Sequence, residues 1–148
     1  MGPDKVDWTK PDAQVANYFT VRDALWLPSW SRLARVEDGL GPDQKQSLCT
    51  LFTKMDTVRV FFNKPIIVHV TFRPKSYNAL VKGAPNSAHI QGMAVDFHVK
   101  DVDCDVARAM IVPLLPVWKM RCENLKGSSW VHLDTRDPGP GGNWYFIP

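Results

Sequence analysis

Three short segments limit what this chain can fold into: KPIIVHVTFRP (64–74), GMAVDFHV (92–99) and SSWVHLDTR (128–136). Each is rich in β-branched and apolar residues, and the first two are bounded by proline or glycine, the marks of strands. In the second, Met93, Val95, Phe97 and Val99 fall on one face, and Ala94, Asp96 and His98 on the other, because strand side chains alternate. Helical signals fill the gaps. From Pro42 to Phe62 the apolar positions Leu48, Leu51, Phe52, Met55, Val58, Val60 and Phe61 recur at intervals of three and four, which predicts an amphipathic helix covering a sheet. In NYFTVRDAL, Thr20 is placed to cap a helix, with Asp23 closing a capping box. KSYNALV reads as a short helix or turn, and DVARAMIVPLLPVW as a helix interrupted by Pro113 and Pro116.

The 148 residues suit one domain, and no repeat or linker divides them. The expectation is an α+β fold spanning 1–148, with helices on one face of a small, mainly antiparallel sheet and residues 1–17 forming a polar extended arm. Cys49, Cys104 and Cys122 form no CxxC, so a thiolate metal site is not indicated and each reads as a small core residue. A net charge of +3 is too small to indicate nucleic acid. No apolar run is long enough to span a membrane. MGPDKVDWTKPD lacks the apolar segment of a secretory signal, so the expected place of synthesis is a cytoplasm, with action elsewhere depending on release by other means.

His89 and Asp96 are separated by six residues, in a loop that leads into a strand, and His132 sits on a later strand. Two imidazoles and a carboxylate make a three-ligand zinc site with one open position, the catalytic form of that metal. Spacing alone leaves open whether these are ligands or ordinary histidines. His98 shares a strand face with Asp96. His98 and His69 read first as strand residues with no metal role.

SAHIQGMAVD resembles the SxHxxGxAxD signature of the D-alanyl-D-alanine carboxypeptidase and L-alanyl-D-glutamate endopeptidase family, which includes many phage endolysins. WVHLD is similar to the segment that carries that family's last zinc ligand. VTFRPKSYNALVKGAPNSAH and the close DTRDPGPGGNW extend the likeness from about Asn17 to Trp144. The resemblance implies a hedgehog/DD-peptidase-like fold and a zinc peptidase acting on peptidoglycan stem peptides, with zinc on His89, Asp96 and His132. It also implies that Arg73 polarises the scissile carbonyl or anchors a substrate carboxylate, and that Ser87 helps bind substrate, although Ser87 reads equally well as a loop-capping hydroxyl. Trp130 and Trp144 flank the site and either could line a substrate groove; the other tryptophans read as core.

The sequence departs from the family at one point. Many relatives carry Glu or Asp three residues before the last histidine as general base, where this chain has Ser129. Asp134 shares a strand face with His132 and stands as either a base or a group that orients His132, the second being preferred. Glu123 and Asp137 are further candidates. The expected protein is a phage lysin or virion-associated wall peptidase, monomeric unless part of a particle, with no nucleic-acid or membrane partner. The rival expectations are an inactive zinc-peptidase-like fold serving as a virion component or binding module, and a zinc peptidase for non-wall peptides.

Overall fold

The computed structural model describes residues 2–148. Its backbone is a five-stranded sheet. Strands β1 (Trp26–Leu27) and β2 (Arg32–Leu33) form a separate small hairpin, while β3 (Ile66–Val70), β4 (Ala94–Val99), β5 (Arg121–Glu123), β6 (Val131–Asp134) and β7 (Tyr145–Phe146) assemble in the order β3-β4-β6-β5-β7. All neighbours in the main sheet are antiparallel except β5 and β7, which run parallel. The helices are α1 (Val21–Leu25), α2 (Pro42–Phe62), α3 (Lys75–Leu80), α4 (Cys104–Ile111) and α5 (Leu115–Trp118). None is long and apolar enough to cross a membrane among the described residues.

Helix α2 has the limits its periodicity predicts. Proline opens it, the Gln44 side chain accepts from Gly41 N at 3.1 Å, and Asn63 ends it in a left-handed conformation. Leu48, Leu51, Phe52, Met55 and Val58 are fully buried and share one core with Val95, Phe97 and Val99 of β4 and Val131 and Leu133 of β6. Burying each such side chain contributes roughly 1.5–3 kcal/mol. Val60 and Phe61, expected on the same stripe, are exposed: Val60 is two positions past Val58, which turns it away from the sheet. Phe61 instead packs edge-on against Phe62 and Trp118. The other face of the sheet carries polar residues, and the functional groups gather there.

Thr20 and Asp23 form the predicted capping box at α1. The prolines of the 104–118 segment divide it into α4, a 3-10 turn over Val112–Leu114, and α5. The N-terminal stretch is not an extended arm. Val6, Trp8, Val15 and Ala16 are buried in the core cluster, and the Asp56 carboxylate of α2 accepts from the backbone of Asn17 (2.9 Å) and Tyr18 (3.0 Å). The polar composition of 1–17 hides a few apolar anchors, and their burial folds the segment back through turns.

Candidate metal centre

Asp96 and His132 lie directly opposite each other on antiparallel β4 and β6, so both project from the polar face of the sheet. His89 arrives from a 3-10 turn, Ala88–Gln91, whose start is capped by Ser87 Oγ accepting from His89 N at 3.2 Å. Gly92 ends that turn at φ +71°, and a Cβ there would stand 2.8 Å from the Gln44 carbonyl oxygen of α2. The close approach seats the His89 turn against α2 and sends the chain straight into β4.

The imidazoles are oriented from behind. His89 Nδ1 lies 2.7 Å from the Thr71 carbonyl oxygen, which can only accept, so Nδ1 carries the proton and Nε2 presents a lone pair. His132 Nε2 lies 2.8 Å from Asp134 Oδ2. Asp134 is completely buried and held by Arg121 through Nε (2.8 Å) and Nη2 (3.0 Å), and by Arg136 N at 3.1 Å. It is therefore the acceptor, which leaves His132 Nδ1 facing forward with its own lone pair. Both forward nitrogens meet Asp96 Oδ1, at 3.2 Å from His89 and 3.0 Å from His132. The donor atoms of His89, Asp96 and His132 all lie within 4.8 Å of one another.

Two lone pairs and a carboxylate oxygen repel unless a proton or a cation sits among them. Nitrogen and oxygen donors of this kind, each with its rear atom hydrogen-bonded, fit a zinc ion with ligands about 2.0–2.2 Å away. The ionisation of these groups shows the same pull. Burial pushes the Asp96 carboxyl upward, but His89 and His132 outweigh it and hold it below the usual carboxylate range. Burial likewise favours protonated Asp134, and its bonds to His132 and Arg121 reverse the direction.

Beside the two histidines is a cleft of about 260 Å³ lined by Arg73, Ser87, Arg121, Glu123, Asp134 and Phe146. Arg73 donates through Nη2 to Ser87 Oγ at 3.2 Å, while its Nε is buried without a protein partner. Burial lowers its pKa, opposed by Asp96, Tyr77 and Glu123. Glu123 Oε1 is 3.3 Å from His132 Nδ1, but its carboxylate does not join the converging set. Ser87 is thus both a turn cap and part of the cleft wall.

Asp134 meets His132 at the ring nitrogen away from Asp96 and, though buried, also borders the cleft. Asp137 accepts from Gly139 N at 2.8 Å and does not line the cleft. Trp130, expected to line a groove here, is not among the cleft residues; its carbonyl is tied to the Arg108 guanidinium of α4 at 2.7 Å, just before β6 begins. His98 and His69 pair with each other, Nδ1 to Nε2 at 2.7 Å, where a bulge between Val68 and Val70 disturbs the β3 register. Arg121 and Phe146 escaped the sequence analysis, although the guanidinium of one lies 4.1 Å over the ring of the other. Arg121-Cys122-Glu123 does alternate polar, apolar, polar, the one available signal for a strand there.

A family model described as peptidase M15 matches residues 31–134, a span holding all three donors together with Arg73 and Glu123. The chain belongs to the peptidase M15 family. No curated protein and no solved structure gives a significant match. M15 membership supports metallopeptidase chemistry, and the clustered donors of His89, Asp96 and His132 could hold the metal such chemistry uses.

Proposed function

We propose that this M15 protein is a zinc-dependent peptidase that hydrolyses an amide bond in the stem peptide or cross-link of peptidoglycan. The observation that carries this reading is the convergence of His89, Asp96 and His132 beside an unattached carboxylate, Glu123, and a guanidinium with an unused buried donor, Arg73. Zinc bound to these residues would supply a Lewis acid that makes water acidic near neutral pH and polarises a carbonyl. Glu123 then accepts the proton of the attacking water and returns it to the leaving amine, the work of a general base and acid. Its place 3.3 Å from the metal-facing nitrogen of His132 puts it beside the reacting centre without making it a ligand. Arg73 offers Nε to the developing oxyanion or to a substrate carboxylate, while Ser87 steadies the guanidinium. Asp134, bonded to Arg121, keeps His132 in the tautomer that leaves Nδ1 free.

The inactive alternative drew its support from Ser129 standing where relatives have an acid. Glu123 on β5, 3.3 Å from His132, offers another carboxylate for that work, which supports the active reading. The flanking segments' likeness to phage endolysins supports a lysin or virion-associated role, with the enzyme reaching the wall after release. Incubation with purified peptidoglycan tests the reading: new amino termini should appear, stop on chelation and resume when zinc is restored. A protein that binds one equivalent of zinc yet releases no amine from any muropeptide would overturn it.

A further inference from the structure

Tyr77 and Asn78 stand side by side in α3, between Arg73 and the turn that carries His89, and both are buried. The Tyr77 hydroxyl accepts from Ser29 N at 3.1 Å and its ring meets Trp30 edge-on, which fixes α3 to the β1–β2 hairpin. Asn78 is bonded instead to the loop that follows. Its Nδ2 donates to the Ala84 carbonyl oxygen at 2.9 Å, and its backbone oxygen accepts from Gly83 N at 2.8 Å. The Ala84 oxygen accepts a second time, from Ser87 N at 3.0 Å. Ser87 Oγ in turn accepts from Arg73 Nη2 and from His89 N, both at 3.2 Å. Residues 73–87 thus form a ring, closed at its ends by the guanidinium and braced across the middle by one amide.

Ala84 and Asn86 are exposed, yet they line the metal cleft beside Ser87. An exposed loop must be ordered before it can hold a substrate, and a bond made in advance removes that entropy from the binding step. Glycine at position 83 lets the brace form: a Cβ there would overlap Asn78 Oδ1 and stand 2.8 Å from its Cγ. Oδ1 is buried without a protein partner, and so is Arg73 Nε. An orphaned oxygen is a cost that an apolar side chain would not carry. What the amide contributes here is its Nδ2 bond, and the bonds that follow lead to Arg73.

We propose that Asn78 is a positioning residue for Arg73: through Ala84 and Ser87 it holds the guanidinium in place at the cleft before substrate arrives. The assignment rests on the role given to Arg73 in the peptidase reading above. It concerns substrate rather than metal, because His89 has a separate tether in the Thr71 carbonyl oxygen.

Asn78→Ala removes the brace, and Gly83→Ala presses the amide away from the loop side, so a folding defect in one variant leaves the other. In either, zinc content should stay at one equivalent while kcat/KM on a muropeptide falls about 10–100-fold. In an Arg73→Ala background the same substitution should lower kcat/KM by less than about twofold, since the group it positions is gone. A merely structural loss would multiply with that of Arg73→Ala, and such independent effects would overturn the proposal. So would loss of zinc from both variants. A second readout needs no turnover. The Nε–H resonance of Arg73 should be protected from solvent exchange in the full chain, and Asn78→Ala should speed that exchange at least about tenfold. Unchanged protection overturns the positioning role even if peptide is cut. Lost protection in a chain that cuts no muropeptide supports it and removes the peptidase reading instead.

Discussion

Glu123 Oε1 lies 3.3 Å from His132 Nδ1, the nitrogen that Asp134 keeps free on the opposite edge of the same ring. One imidazole thus meets Asp134 at its rear nitrogen and both Asp96 and Glu123 at its forward one. Asp134 is completely buried and bonded to Arg121, whereas Glu123 is only half-buried and has no arginine partner among the described residues. The difference in surroundings divides the labour between them and leads to opposite expectations for their variants.

Glu123→Gln should keep zinc and lose turnover. The amide preserves size and removes the proton acceptor, so kcat should drop by about 10²–10⁴ while metal content stays at one equivalent. Elemental analysis beside initial-rate kinetics checks this. Loss of zinc in that variant would make Glu123 a ligand.

Asp134→Asn should act through the metal. It removes the charge and replaces one of the two accepting oxygens with an NH2 donor, so His132 and Arg121 can no longer both be satisfied and Arg121 loses its charge partner. Zinc affinity, measured by competition with a chromophoric chelator, should fall about 10–100-fold. Ser129→Ala should leave it unchanged, because Ser129 is exposed and outside the cleft. His89→Ala should abolish binding altogether.

Zinc affinity should rise with pH. Burial opposes charge on His132, but hydrogen bonds to Asp134 and Asp96 outweigh it and bring the ring from its usual 6.5 up to about 9. Because the folded-state pKa is raised, protonated His132 stabilises the zinc-free protein fully below about 6.5, and that contribution disappears as pH climbs through about 9. Zinc needs the nitrogen that this proton occupies. One proton should therefore be released per zinc, and affinity should increase about tenfold per pH unit between those limits. Calorimetry in buffers of different ionisation enthalpy reads the proton directly; a pH-independent affinity would count against the assigned tautomer.

Gly92→Ala should destabilise the fold by about 1–3 kcal/mol, because a left-handed backbone now bears a Cβ 2.8 Å from the Gln44 carbonyl oxygen. Urea unfolding with a shifted midpoint and unchanged slope would measure it. A neutral outcome would mean that α2 and the His89 turn can separate cheaply.

Much of this architecture was legible because long periodic signals survive without tertiary context. Pro42–Phe62 announced α2 to the residue, and the alternation along Ala94–Val99 already placed Asp96 opposite the core face. The three converging donors were visible as residues, and their neighbourhood as a motif. Strands β5 and β7 were not visible, since Arg121–Glu123 and Tyr145–Phe146 are too short to display a period and owe their conformation to pairing with β6 and with each other. That hid the value of Glu123, which sequence analysis held only as one acid among several, and all of Arg121 and Phe146. The N-terminal stretch was read as an arm for a related reason: apart from Trp8, expected in the core, its anchors Val6 and Val15 are isolated in sequence and become a pattern only against the core.

The contact that aims His89 is made by a main-chain oxygen, that of Thr71, whose own hydroxyl is bonded to the Asp23 carbonyl at 2.8 Å. Such a support has no side-chain identity to protect. Substitutions at position 71 that fit its fully buried space and leave the Asp23 carbonyl satisfied keep this support, as long as the peptide plane keeps its tilt. The same catalytic geometry can therefore persist in homologues whose residues at this point look unrelated, and mutational scans by side chain will undervalue it.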